Sequence, residues 1–186
     1  NVNIIEYVTI ASTGNAVDFG DLTYTAQGES GGGSSTRAIV GGGFSPSVFS
    51  TINYFTMATL GDAQDFGDLA KATRSATKGQ SSNSTRHIWY GGHSPGYNNE
   101  VFYTTIATLG NSVNFGDTVG GTNNAVAAGC ASPTRCVFAG GSSSDPTIVN
   151  TIGYMEFATG GTAADFGDTT TATSGASGCS NAHGGL

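Results

Sequence analysis

One pattern governs this chain. A tyrosine is followed twelve residues later by a phenylalanine, and this happens four times: Tyr7 and Phe19, Tyr54 and Phe66, Tyr103 and Phe115, Tyr154 and Phe166. The surrounding phrase recurs as IIEYVTIASTGNAVDFGD from Ile4, TINYFTMATLGDAQDFGD from Thr51, VFYTTIATLGNSVNFGD from Val101 and TIGYMEFATGGTAADFGD from Thr151. A second element, TRAIVGGG from Thr36, TRHIWYGG from Thr85 and TRCVFAGG from Thr134, occurs three times at a spacing of 49 residues. A period of this size marks a repeat architecture in which each unit is one supersecondary element.

The Tyr-to-Phe spacing never changes, whereas the stretch from Asp21 to Thr36 is 15 residues and its two later equivalents are 17. Strands and tight turns hold their length and loops absorb change. The constant piece therefore reads as a hairpin. In TINYFTMAT, apolar residues occur on both alternating faces, as in a strand covered on each side. Gly14, Gly61, Gly110 and Gly161 mark the turn, and a short strand runs into DFGD. The TR element is the most uniformly apolar strand, and its paired glycines leave room for strands to crowd near an axis. About 49 residues leave space for four short strands and no helix, the signature of a β-propeller blade.

The R-apolar-apolar-x-Gly-Gly strand, the Tyr-bearing strand and the aromatic a dozen residues on resemble the kelch repeat, with Phe here in place of the usual Trp. The phrase I-x-Y-x-T-I-A-T-x-G-N-A-x-D-F-G-D-L is similar to kelch-like repeats in structural proteins of tailed bacteriophages, particularly phages of marine cyanobacteria. The resemblance implies an all-β, kelch-like β-propeller of about four ~49-residue blades, and a virion or tail-associated role. The chain reads as a single repeat domain over 1–186, in units of about 1–50, 51–100, 101–150 and an incomplete 151–186. Four Tyr–Phe hairpins accompany only three TR strands, so one inner strand is missing. Three sources stand open: upstream sequence, the C-terminal HGGL as a shortened substitute that closes a four-bladed ring, or a neighbouring chain donating a strand to an open sheet edge. The chain begins with Asn, which reads as a processed product or a fragment.

Composition narrows the function classes. Thirty glycines lack a period of three, which excludes collagen. Six Lys plus Arg against 13 Asp plus Glu give a net charge of −7, with no basic patch for nucleic acid. No apolar run is long enough to span a membrane as a helix. Regularly placed aromatics argue against disorder. Cys130, Cys136 and Cys179 fit neither a disulfide framework nor a zinc motif and read as small buried thiols.

Recurring residues read as scaffold. Asp18, Asp65 and Asp165 open a DFG string, but no phosphate loop or catalytic loop accompanies it, so Asp is expected to cap a turn and Phe to pack between sheets. Asp21, Asp68, Asp117 and Asp168 and the arginines Arg37, Arg86 and Arg135 recur as well, and an Asp–Arg pair across strands or blades is expected. Function belongs where the units differ. Phe44, His93, Tyr97 and Asn98 lie in the loops after the glycine pairs and suit stacking on a sugar and bonding its hydroxyls. Alternatively, these loops only cap their neighbours. His87, His93 and His183 have no ligand spacing, and no hydrolase, metalloprotease or EF-hand motif is present. No catalytic residue, metal site or cofactor is expected, and the chain is not read as an enzyme. It reads as a structural or adhesive module, extracellular or on a virion, whose partners are copies of itself, other virion or filament proteins, or a cell-surface glycan. A propeller enzyme is the remote alternative.

Overall fold

The structure, a computed structural model, describes residues 2–180. These residues form β-strands joined by turns, with a single 3₁₀ turn at Val119–Gly121 and no α-helix among them. The first Tyr–Phe phrase is a hairpin of β1 (Val2–Tyr7) on β2 (Val17–Ala26). Three antiparallel units follow, each meandering in chain order. The first is β3 (Ser30–Gly33), β4 (Arg37–Gly41), β5 (Thr51–Thr56) and β6 (Gln64–Asp68). The second is β8 (Arg86–His93), β9 (Tyr97–Thr105) and β10 (Val113–Asp117), preceded in the chain by β7 (Thr77–Gly79), which joins the edge of the third unit's sheet. The third is β11 (Ala127–Ala131), β12 (Arg135–Ala139), β13 (Thr151–Glu156) and β15 (Ala164–Asp168), while β14 (Gly161–Thr162) pairs in parallel with β10 of the second unit. The strand β7 pairs in parallel with β11, and the residues just after it turn back to β8, where Ser82 bridges His87. The units are thus laced together rather than merely strung along the chain. HGGL and His183, invoked as a ring-closing strand, lie outside the described residues.

The expected hairpin occurs in all four copies, with an addition. The partner register jumps over Phe19, Phe66, Phe115 and Phe166: Ile52 faces Gly67, for example, while Asn53 faces Asp65. Each DFGD phenylalanine is therefore the extra residue of a β-bulge, which re-aims a side chain and twists the strand. It packs edge-on against the repeat tyrosine of its own unit, at ring separations of 6.1, 5.9, 5.2 and 6.0 Å from the first copy to the last. The expected Asp turn is seen at Asp65 and Asp165, whose carboxylates accept the backbone N–H of Gly67 and Gly167.

The core lies between sheets. Ile39, Ile52, Phe66 and Leu69 of the first unit meet Trp89, Phe102 and Ile106 of the second. Ile88, Tyr90, Val101 and Phe115 of the second meet Phe138, Met155 and Phe157 of the third. Along β8 the alternation is direct, because Trp89 faces one neighbour while Ile88 and Tyr90 face the other. Tyr90 stacks on Phe138 at 4.0 Å, and Trp89 donates its indole N–H to Thr104 Oγ1 at 2.7 Å. Burying such rings contributes about 2–3 kcal/mol each.

The glycine pairs serve a different contact from the one expected. Gly42, Gly91 and Gly140 hold φ of 64°, 61° and 66°, and a Cβ there would strike the carbonyl oxygen of Thr73, Asn124 or Thr173 in the next unit's loop. Close approach of strand backbones falls instead on Gly79 of β7 and Gly129 of β11, joined by the bridging Gly178, and these meet closely enough to exclude a side chain.

Candidate functional site

The variable loops lie along one seam. Phe44 bridges Gln27 and Val48 through its backbone, and the guanidinium of Arg74 sits 5.0 Å over its ring. The backbone of Arg74 in turn pairs with His93, each N–H donating to the other's carbonyl at 3.2 and 2.9 Å. The His93 ring meets the Tyr97 ring edge-on at 5.2 Å. Arg74 thereby joins Phe44, His93 and Tyr97 into one half-buried patch across two units. Sequence reasoning missed Arg74, since it stands outside both repeated elements. Asn98 does not share the patch's exposure. It is buried, its amide reaches Thr73 Oγ1 at 3.5 Å, and its backbone carbonyl accepts from Asn124, so it serves the seam between units.

The recurring arginines correct the Asp–Arg expectation. Arg37 lies 4.6 Å over the Tyr54 ring, Arg86 4.6 Å over Tyr103 and Arg135 4.3 Å over Tyr154. From that stack Arg37 donates to the carbonyl of Ile106 at 2.8 Å, and Arg86 donates to the carbonyl of Phe157. Each is a carbonyl of the following unit. Arg135 instead pairs with Glu156 across the strand at 2.7 Å. Among the described residues no arginine–aspartate ion pair occurs. A planar cation already held by a ring face can give its fork to a neighbouring carbonyl without burying a second charge. The aspartates have other duties: Asp68 accepts from the Ser50 hydroxyl and Asp117 from the Asn99 amide. The Arg37 clamp, with Thr36, Ile106 and Ala107, lines a groove of about 250 Å³, and the Arg86 clamp, with Thr85, Phe157 and Ala158, lines one of about 620 Å³.

Three of the four strongly perturbed titratable groups, His87, Tyr90 and Cys136, lie inside the core, and the fourth, Tyr24, is half-buried. Ser82 accepts the N–H of Gly33 at 3.1 Å and shares a hydrogen bond with His87 Nδ1 at 2.7 Å. Both side chains are fully buried, and desolvation holds His87 down at about 3. This Ser–His pair has no access to a substrate and acts as a clasp between β3 and the second unit. Burial raises Tyr90 and Cys136 to about 12 and raises Tyr24 beyond the usual tyrosine range. The three cysteines are free thiols, but only Cys136 is fully buried; Cys130 is half-buried and Cys179 exposed, the latter because it lies past the last complete sheet.

Among the described residues, no group of three or more His, Cys, Asp or Glu side chains converges in a metal-holding arrangement, and no helix is long and apolar enough to cross a membrane. No protein-family model matches the chain, and no curated protein matches it.

Proposed function

We propose that the repeat sheets are blades of a kelch-like β-propeller and that the protein is a non-catalytic structural or adhesive module of a virion or an extracellular filament. The observation that carries this reading is how the recurring side chains are used. Tyr and Phe pack within a unit, Arg37 and Arg86 reach the next unit, and the perturbed His87, Tyr90 and Cys136 are core. Chemistry-bearing residues are thus spent on joining units. Blades are supported by the close approach of β7, β11 and the bridging Gly178 at Gly79, Gly129 and Gly178, as segments arranged about an axis would do. Antibody labelling of purified particles or filaments by electron microscopy tests the role. Labelling of the assembled structure is expected, and recovery of the protein only in the intracellular fraction would overturn it.

A second reading, glycan binding, is favoured by the Phe44–Arg74–His93–Tyr97 patch, where half-exposed rings lie beside a cation. Aromatic faces stack on sugar rings while polar neighbours bond hydroxyls. Binding to a glycan array should be lost in Tyr97→Ala and Phe44→Ala with folding unchanged; a blank array for the wild type removes this reading.

A further inference from the structure

Each junction between consecutive units repeats one contact. The loop before a DFGD strand lies against the DFGD strand of the unit before it. Gly61 and Ala63 donate backbone N–H groups to Phe19 and Asp21 at 2.9 and 2.8 Å. Gly110 and Ser112 donate to Phe66 and Asp68 at 2.9 and 2.8 Å, and Ala163 donates to Asp117 at 2.7 Å. Side chains reinforce it, with the N–H of Asp21 and of Asp68 bonding Asp62 Oδ1 and Asn111 Oδ1 at 3.0 Å. The DFGD glycine makes the approach possible, since a Cβ on Gly20, Gly67 or Gly116 would run into Gly61, Gly110 or Gly161.

Among the described residues both halves of this contact are unfilled, one in the first hairpin and one in the last unit. In the last unit Phe166 is 57% exposed, whereas Phe19, Phe66 and Phe115 are 8%, 3% and 7% exposed. A Cβ on Gly167 would meet nothing within 4 Å, and Arg135 has turned to Glu156 in place of a following unit's carbonyl. In the first hairpin the complementary loop is bare. Ile10, the counterpart of Met57, Ile106 and Phe157, is 99% exposed; Ile106 and Phe157, each reached by an arginine of the preceding unit, are 1% and 4% exposed, and Met57, which follows the hairpin that lacks such an arginine, is 48% exposed. Ala16 is exposed while its counterparts Ala63, Ser112 and Ala163 are 5% exposed. Asn15 stands where Asp62 and Asn111 bond the preceding unit.

From this matched pair of faces we infer that copies of this chain join head to tail, the Gly14–Ala16 loop and Ile10 of one copy docking on the Ala164–Asp168 strand of another. The occupant is a second copy because the three internal junctions define what this strand accepts, and the first hairpin carries that loop without using it. In the new junction Ala16 N–H meets the Asp168 carbonyl, Asn15 bonds the Asp168 N–H, and Arg135 leaves Glu156 for the Ile10 carbonyl. The contact joins two different surfaces, so it propagates until a ring closes or a filament forms. It rests on the structural reading above and names the partner for it.

Sedimentation of the chain, alone and as two variants, tests this. Wild type should gain mass with concentration. Ile10→Asp, at a fully exposed position, should remain a monomer with an unchanged unfolding temperature. Phe166→Asp should also remain a monomer. A mixture of the two should give a dimer and nothing larger, since each supplies the face the other lacks. Should Phe166→Asp fail to fold, Ile10→Asp titrated into wild type should cap chains and lower the mean mass. A wild type monomeric at every concentration overturns the inference, as does an Ile10→Asp variant that assembles like wild type. Either result would leave the structural role itself standing if particles still carry the protein, whereas head-to-tail assembly with unlabelled particles would remove that role alone.

Discussion

Phe115, in NFGD, and Phe166, in DFGD, have the same bulge and the same edge-on contact with the repeat tyrosine, yet one is 7% exposed and the other 57%. The neighbouring Asn114 or Asp165 does not account for this, since Phe66, in an identical DFGD, is 3% exposed. The difference is whether another unit lies beyond the strand. In this architecture burial is granted by the neighbour, as expected where each repeat touches only its neighbours and stability sums over interfaces. Interior and end positions should therefore respond differently to one and the same substitution.

The largest contrast is in ring removal. Phe115→Ala should cost about 3–5 kcal/mol by urea denaturation and Phe166→Ala about 1 kcal/mol or less in the monomer, because only the first leaves a cavity. Equal costs would break the comparison. Next come the bulge glycines. Gly116→Ala and Gly167→Ala share the strain of a positive φ, 144° and 139°, but only Gly116 adds a collision with Gly161. Thermal unfolding should place Gly116→Ala well below Gly167→Ala.

An acid limb should come from His87, which sits at an interior junction. Its folded value of about 3 lies below the ordinary 6.5, so the unfolded chain takes up the proton first. Stability is complete above about pH 6.5 and declines below it, by up to about 1.4 kcal/mol per pH unit. Replacing the imidazole by His87→Gln should flatten unfolding temperature against pH between about 6.5 and 5; an unchanged slope would assign the limb to other groups. The smallest contrast is between the arginines. Arg86→Ala removes a ring contact and an inter-unit hydrogen bond, worth about 1–2 kcal/mol, whereas Arg135→Ala loses a ring contact and a half-exposed ion pair worth less than about 1 kcal/mol.

Much of this was legible in sequence because repetition supplies its own alignment. The constant Tyr–Phe spacing marks the hairpin, and the apolar run Ile88–Trp89 marks the most uniformly apolar strand, which the structure buries on both faces. What stayed hidden depends on neighbours in space. The bulge at each DFGD phenylalanine needs the partner register, which the spacing alone does not contain. Arg86 and Asp117 recur together, but recurrence cannot say that the arginine would lie on Tyr103 and reach Phe157 instead. Arg74 belongs to no repeated element, so its link between Phe44 and His93 had no sequence signal beyond an isolated charge. Asn98 looked like a loop group offered to solvent and proved to be part of a seam.

Backbone hydrogen exchange, read residue by residue at low and high protein concentration, tests most directly that junctions alone confer burial. Ala63, Ser112 and Ala163 should exchange slowly at both concentrations, while Ala16 exchanges freely in the dilute monomer and slows once copies meet. An Ala16 amide as protected as its three counterparts in the dilute monomer, or unprotected at every concentration, would contradict the claim.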